Sequence, residues 1–161
     1  MIFVTVGTQL PFERLVRAVD EWAGNNKGKT VFIQLGQTLF RPKNCQFTAF
    51  TDPPHWERLF QESELIVSHA GMGTILKSIE HNKPLILMPR LASLGEHRND
   101  HQVATASKFI NHLNISVVTQ VDDLPHALDT PPTSGHLNTR GKSENHEMLI
   151  GEIKKFIQQN T

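Results

Sequence analysis

A short apolar run that ends in a glycine-bearing turn is the part of this sequence best suited to chemistry. Residues 65–68 predict a buried strand, Gly71-Met72-Gly73 a turn, and residues 74–81 a helix. The first N–H groups of a helix lack intrahelical partners, and the helix dipole adds partial positive charge there. Glycines let a ligand come close to the backbone. The segment therefore predicts an anion site, best suited to a phosphate or diphosphate, and its alternative is a tight turn without a ligand.

The common nucleotide-binding and metal-binding motifs do not fit this sequence. A dinucleotide fingerprint would need glycine in place of Leu76, and no Walker A sequence occurs. His97 and His101 are four residues apart, as zinc ligands on a helix are, but Arg98 stands where the glutamate of an H-E-x-x-H motif would be. These observations disfavour NAD, ATP and zinc, and we expect neither a cofactor nor a metal.

Three further groups of polar residues follow predicted strands. The loop at Gly7-Thr8 either lines a ligand or only caps a helix, and the second role is favoured. The polar segment 96–102 follows the strand predicted at 85–88, which indicates a hydrogen-bonding wall for a sugar or a solvated helix start. His69 ends its strand, where it is either a catalytic or oxyanion group or a residue that holds the loop through hydrogen bonds.

The elements that must position these residues alternate regularly along the chain. Strands are predicted at residues 2–6, 30–35, 45–50, 65–68, 85–88 and 115–119. Helices are predicted between them, with Pro11 at the first position of one, Asn82 as a left-handed cap of another, and residues 99–111 in a third. This alternation predicts an α/β fold with a Rossmann-like parallel sheet flanked by helices, and ligands at the carboxyl ends of its strands.

The chain of 161 residues divides into three predicted parts. Residues 1–129 form the Rossmann-like domain, residues 130–143 a flexible loop, and residues 144–161 an amphipathic C-terminal helix. That helix either packs on its own domain or docks on a partner.

Composition excludes several classes of function. Sixteen basic residues balance sixteen acidic ones, so no overall field favours nucleic acid or an anionic bilayer. The single cysteine, Cys45, fits a reducing compartment, and no apolar run approaches the roughly 20 residues of a membrane helix. The first residues lack the basic start of a secretion signal, so we expect a cytoplasmic protein.

Several ordered motifs together resemble one known family over about residues 1–120. They are the segments 68–75, 83–90 and 96–102, with 4–8 and Pro11-Phe12 before them. Together they resemble the glycosyltransferase family 28 C-terminal domain. Within that family the chain is similar to small stand-alone subunits of bacterial exopolysaccharide synthesis. It is also similar to the catalytic subunit of the split N-acetylglucosaminyltransferase of the dolichol pathway.

The resemblance implies the C-terminal, donor-binding half of a GT-B fold. It implies an inverting, metal-independent transfer from a UDP-sugar to a lipid-linked acceptor. In that family the positions matching Gly71, Met72, Gly73 and Thr74 contact the donor diphosphate. Those matching Glu96, His101 and Gln102 face the donor sugar, and Gly7 and Thr8 lie at the cleft edge.

A partner is also implied, because a donor half alone lacks the domain against which a glycosyl cleft closes. The expected partner is a membrane-anchored subunit that binds the acceptor and holds this chain at the inner face of the membrane. The general base is expected on that subunit, with His69 and His97 as weaker candidates. The isolated chain could form a homo-oligomer instead.

One departure from the family leaves two alternatives open. Lys77 stands where a related transferase has a ribose-binding acid. The predicted preference for UDP is therefore less secure than the predicted binding of a diphosphate. The same departure favours the first alternative, a non-catalytic partner or regulatory module. A sugar-nucleotide epimerase is the other alternative, and Glu96 and Asp100 are the only acids that suggest it.

Overall fold

The fold was determined as a computed structural model that describes residues 1–134 and, beyond them, Gly151, Lys155 and Gln158. Most of the loop predicted over 130–143 and of the helix predicted over 144–161 lies outside the described residues. Both remain predictions. No helix in the described part of the chain is long and apolar enough to cross a bilayer.

In the part of the chain that the structure describes, six parallel strands form the central sheet and confirm the predicted Rossmann-like fold. They are β1 (Ile2–Thr5), β2 (Val31–Gln34), β3 (Gln46–Thr48), β4 (Leu65–His69), β5 (Leu85–Met88) and β6 (Ile115–Val117). Their spatial order is β3-β2-β1-β4-β5-β6, and every neighbouring pair is parallel. The chain order reverses between β1 and β4, so the loops after these two strands diverge and leave a crevice at the carboxyl edge.

Within residues 1–134, five α-helices cover the sheet: α1 (Glu13–Asn25), α2 (Pro53–Glu62), α3 (Met72–Glu80), α4 (His101–Ser107) and α5 (Leu124–Asp129). The Asp52 carboxylate caps α2 by accepting a hydrogen bond of 2.7 Å from the His55 N–H. Asn82, with φ of 53°, takes the left-handed conformation predicted for the end of α3.

Alternate residues of the central strands belong to two separate apolar cores, one on each face of the sheet. Ile2, Val4 and Val67 pack on one face with α1 and α5, while Phe3 and Ile66 pack on the other with α2 and α3. Because both faces are covered, the central strands are apolar throughout, which is the pattern that made them predictable.

Three helix boundaries differ from the predictions. Pro11 lies before α1, since Phe12 is its N-cap and the Phe12 N–H donates to Thr38 Oγ1 at 2.9 Å. α3 begins at Met72, so Gly73 lies in its first turn rather than in a loop. α4 covers 101–107, shorter than the predicted 99–111.

Candidate functional site

A groove of about 400 Å³ opens at the carboxyl edge of the sheet, where the strand order reverses. Its walls come from the ends of β1 and β2, from the loops after β1 and β3, and from the first two turns of α2 and α3. The lining residues are Thr5, Gly7, Thr8, Gln34, Thr51, Pro53, Trp56, Glu57, Thr74 and Lys77. The structure thus brings together the predicted cleft-edge loop, Gly7-Thr8, and the end of the predicted diphosphate segment, Thr74.

The N-terminus of α3 is open to an anion. Its N-cap is Gly71, which has no side chain to cap the helix, and the first intrahelical bond runs from Ile75 N to Gly71 O at 3.2 Å. The N–H groups of Met72, Gly73 and Thr74 precede that bond. A Cβ at Gly73 would meet nothing within 4 Å, so this face of the helix has space for a ligand.

The His69 ring is wedged between two glycines of the site. A Cβ at Gly7 would lie 2.8 Å from His69 Cε1, and a Cβ at Gly71 would lie 2.9 Å from the same atom and still closer to Nε2. Gly7 also has φ of +76°, which disfavours other residues. The ring therefore fixes the spacing of the loops after β1 and β4 by packing, whereas the sequence analysis expected any such holding role to act through hydrogen bonds.

The environment of His69 makes it a weak base. Burial, and then the charge of Arg90, lowers the pKa of His69 to about 4. The imidazole is therefore neutral at pH 7 and has little affinity for a proton. The packing of the ring and its lowered pKa together favour a positioning role for His69 over proton abstraction.

The lowered pKa of His69 predicts a loss of stability in mild acid. Between pH 6.5 and about 4 the unfolded chain protonates this histidine while the folded chain does not. Its contribution to the free energy of unfolding should therefore fall by up to roughly 3 kcal/mol as the pH drops through this window. Urea unfolding at pH 7 and pH 4.5 measures the effect.

His69→Gln should remove that part of the pH dependence, whereas His126→Gln, at an exposed position, should leave it unchanged. An equally acid-sensitive His69→Gln variant would contradict the assignment.

Arg90, which the sequence analysis did not single out, holds the loop after β1. It is 3% exposed, and its Nη2 donates to the carbonyl oxygens of Val6 and Leu10 at 2.7 Å each. Its Nε donates to Pro11 O at 3.3 Å, and its guanidinium lies 4.9 Å from the centre of the Phe12 ring. Burial lowers the pKa of Arg90 to about 10, so it remains charged at pH 7. An arginine two residues after a fully buried strand was the available signal.

The predicted sugar-facing residues lie in the loop after β5 and at the start of α4. Arg14 binds both oxygens of Glu96, at 2.7 and 2.9 Å, and the Leu91 N–H donates to the same carboxylate. Gln102 Oε1 accepts from the Arg90 N–H at 3.0 Å, and His101 is exposed. A sugar contact by these three residues stays a prediction. The Glu96 carboxylate would have to bind the sugar while it also accepts hydrogen bonds from Arg14 of α1.

The two histidines considered for zinc are not joined by further ligands. Within the described residues no group of three or more His, Cys, Asp or Glu side chains could hold a metal ion. His97 Nδ1 instead accepts from the Asn99 N–H at 3.3 Å, a local loop contact.

Lys77 of α3 lines the groove and forms a salt bridge with Glu57 of α2, which lines it too. Its Nζ is 2.5 Å from Glu57 Oε2 and 5.7 Å from the centre of the Trp56 ring. The hydrogen bond from Lys77, and then that from Gln61, lowers the pKa of the Glu57 carboxyl. Glu57, on α2, therefore brings an ionised carboxylate to the groove beside Lys77.

Fold and groove together define a Rossmann-like α/β domain whose candidate ligand site lies at the switch point of a parallel sheet. The crystal structure of Acinetobacter baumannii MurG has the same fold, with a TM-score of 0.56 and 17% identity over 80% of this chain and 40% of that one. The predicted fold class, a Rossmann-like parallel sheet of the kind found in GT-B glycosyltransferases, is confirmed, and the donor-binding role of this half stays a prediction.

The sequence model of the glycosyltransferase family 28 C-terminal domain matches residues 1–155, and the chain belongs to that family. The Candida albicans UDP-N-acetylglucosamine transferase subunit ALG13 is 24% identical over 119 residues, which are 74% of this chain and 38% of that protein.

A second relative comes from Prochlorococcus marinus (strain MIT 9215). This UDP-N-acetylglucosamine–N-acetylmuramyl-(pentapeptide) pyrophosphoryl-undecaprenol N-acetylglucosamine transferase is 32% identical over 110 residues, 62% of this chain and 30% of that enzyme. The chain thus spans less than two-fifths of either relative.

Proposed function

We propose that this chain is the donor-binding subunit of an inverting, metal-independent glycosyltransferase that uses a UDP-sugar, with UDP-N-acetylglucosamine as the first candidate. The observation that carries the proposal is the uncapped N-terminus of α3, which faces open space beside a groove at the switch point. Family membership and the names of both relatives support the same donor.

The proposed chemistry is electrostatic. As the bond from the sugar to the diphosphate breaks, negative charge grows on the leaving diphosphate. The backbone N–H groups of Met72, Gly73 and Thr74, together with the dipole of α3, would stabilise that charge without a metal ion. His69 would act by holding the loops after β1 and β4 at a fixed spacing.

We propose further that the acceptor is lipid-linked and that a membrane-anchored subunit binds it and supplies the general base. The name of the Prochlorococcus relative includes a lipid-linked acceptor, and the name of the Candida relative describes a subunit. Such a partner would hold this chain at the cytoplasmic face of the membrane. The C-terminal residues 144–161 are the candidate docking segment.

The geometry disfavours the epimerase alternative. That reaction needs acids that reach the sugar, whereas Arg14 engages both oxygens of Glu96 and Asp100 Oδ1 accepts from the Ala92 N–H. A non-catalytic module remains distinguishable by experiment, because it would not transfer sugar in the presence of any partner.

Calorimetric titration with UDP, using NAD and ATP as controls, tests donor binding directly. We expect selective binding of UDP by the chain or by its complex with the co-expressed membrane subunit. Sugar transfer only after that subunit is added would support the split enzyme. Sugar-nucleotide conversion by the chain alone would favour the epimerase, and a folded complex that binds no UDP would contradict the proposal.

Gly73→Asp should abolish UDP binding while the protein stays folded. The position is open, so an aspartate fits, but its carboxylate would stand against the diphosphate. Gly73→Ala is the matched control, and it should increase helix stability by up to about 1 kcal/mol because glycine is a poor helix former. Titration and urea unfolding of both variants measure the effects, and unchanged affinity in Gly73→Asp would contradict the diphosphate site.

A further inference from the structure

The β3 edge of the sheet presents three exposed apolar side chains. Leu39 is 82% exposed, Phe47 40% and Phe50 53%. Phe47 belongs to β3, which pairs only with β2 among the described strands, and Phe50 lies two residues beyond the end of that strand. A single exposed apolar residue is ordinary on a protein surface, but several in one place indicate contact with another apolar surface.

Backbone hydrogen bonds hold together the two segments that carry Leu39 and Phe50. The Gly36 N–H donates to Ala49 O at 2.8 Å, which joins the end of β2 to the end of β3. The Thr38 N–H then closes a tight turn with a bond of 3.0 Å. Leu39 directly follows this turn and Phe50 directly follows Ala49, so both lie at the same corner of the sheet.

The same part of the chain carries positive charge and no negative charge. Residues 37–51 include Arg41 and Lys43, which are both exposed, and contain no aspartate or glutamate. The next residue, Asp52, caps α2. Arg41 Nη1 donates to Leu39 O at 3.2 Å, so its guanidinium is held against the loop that presents the Leu39 side chain. A cation and an exposed apolar group therefore stand side by side.

Two acids of α1 approach this segment, and both are engaged. Asp20 is buried and its carboxylate accepts from the Lys43 N–H at 3.0 Å. Glu13 pairs with Arg17 at 2.6 Å, and the Arg17 guanidinium lies 4.1 Å from the centre of the Phe40 ring. The exposed charge beside the apolar side chains therefore comes from Arg41 and Lys43.

We infer that this surface, formed by Leu39, Phe47, Phe50, Arg41 and Lys43, contacts an anionic lipid bilayer. The apolar side chains enter the boundary between headgroups and acyl chains, and the cations bind lipid phosphates. The overall charge balance of the chain does not oppose this contact, because salt screens charges over roughly 8 Å and the local cations decide.

A second copy of the chain fits the surface less well than a bilayer does. In a twofold contact the same patch of each copy faces its equivalent. The cations of both copies would then lie near each other, and residues 37–51 contain no acid to pair with them. Such like charges disfavour the contact between copies.

The surface adjoins the groove at the carboxyl edge of the sheet. Phe50 directly precedes Thr51, which lines the groove. A chain that rests on a bilayer through this edge holds the groove close to the headgroups, where a lipid-linked acceptor would lie. That use of the surface rests on the proposed function, whereas the binding of lipid does not.

Sedimentation of the full chain with lipid vesicles tests the contact. We expect binding to vesicles of phosphatidylglycerol and phosphatidylcholine in equal parts, much weaker binding to phosphatidylcholine alone, and a decrease as salt is added. Leu39→Ser combined with Phe50→Ser should weaken binding to the mixed vesicles about tenfold or more. Lys43→Gln should weaken it about fivefold.

Matched controls lie elsewhere on the same domain. Ile110 and Leu113 are 61% and 64% exposed and precede β6, at the opposite edge of the sheet, so Ile110→Ser combined with Leu113→Ser controls for lost apolar surface. Arg58→Gln, at an exposed position of α2, controls for lost charge. Both control variants should bind vesicles as the unaltered chain does.

No binding to the mixed vesicles, equal binding to both kinds of vesicle, or equal losses in the controls would overturn the inference. A dimer in gel filtration that Leu39→Ser with Phe50→Ser dissociates, without lipid binding, would assign the surface to a second copy and overturn it too. Calorimetry with UDP separates this surface from the donor site, because the same double variant should keep the UDP affinity of the unaltered chain. Vesicle binding by a chain and complex that bind no UDP would support the lipid contact and contradict the proposed function alone.

Discussion

Replacement of Arg90 with methionine is expected to lower the free energy of unfolding by about 3 to 5 kcal/mol. The guanidinium is buried and donates to Val6 O and Leu10 O at 2.7 Å each; the bond to Val6 is buried, and those to Leu10 O and Pro11 O are partly buried. An unsatisfied buried polar group costs about 1 to 3 kcal/mol, and the substitution leaves one buried and two partly buried carbonyl groups without their charged donor. Urea unfolding measures the difference.

The same substitution should weaken UDP binding, because the backbone that Arg90 holds leads into the Gly7-Thr8 wall of the groove. Arg58→Met, at an exposed position on α2, is the control and should change stability by less than about 0.5 kcal/mol. Arg90→Lys keeps a charge but loses the forked geometry, so it should be intermediate. An Arg90→Met variant as stable as Arg58→Met would show that the loop does not depend on this side chain.

The second large effect is expected from Gly71→Ala, which should lower the free energy of unfolding by about 2 to 3 kcal/mol. Gly71 has φ of −92° and ψ of 128°, which alanine adopts without strain, so most of the cost comes from overlap of the new Cβ with the His69 ring. Crowding of a packed site costs about 1 to 3 kcal/mol, and alanine is also a poorer N-cap than glycine. UDP binding should be lost as well, since α3 or the ring must move.

A double-mutant cycle separates the two causes. His69→Ala removes the ring, so Gly71→Ala should cost only the capping difference, below about 1 kcal/mol, in that background. Gly28→Ala is the control without a neighbour, because a Cβ there would meet nothing within 4 Å. Additive costs in the cycle would contradict direct contact between Gly71 and the His69 ring.

The sequence predicted the fold well because its signals are local and consistent. Apolar β-branched strands alternate with amphipathic helices, and every strand of the sheet was expected within a few residues of its observed bounds. The strand at 85–88 matched β5 fully, since a strand buried on both faces is apolar from end to end. The boundary that moved at Pro11 depends on a distant part of the chain, because the Phe12 N–H donates to Thr38 Oγ1. At the start of α4 the contact is local, since the His101 N–H donates to Asn99 Oδ1.

The candidate site was predictable only where its chemistry lies in a short segment. The glycine turn and the helix after it are adjacent in sequence, so their anion site could be inferred from the order of residue types. The role of Arg90 and the pairing of Lys77 with Glu57 depend on which loops and helices lie next to each other in space. His69 was noticed as a chemical group, but its packing against Gly7 and Gly71 depends on the pairing of β1 with β4.

The bond from Arg90 to Val6 also has a consequence for how binding competence develops during folding. The two residues are 84 positions apart, so this contact closes a long loop and forms only after β5 has paired with β4. A partly folded chain that has assembled only β1, β2 and α1 still lacks the hydrogen bond from Arg90 that holds the loop after β1. If the chain binds UDP as proposed, binding should therefore report a state in which β5 has joined β4, rather than an earlier assembly of β1, β2 and α1 alone.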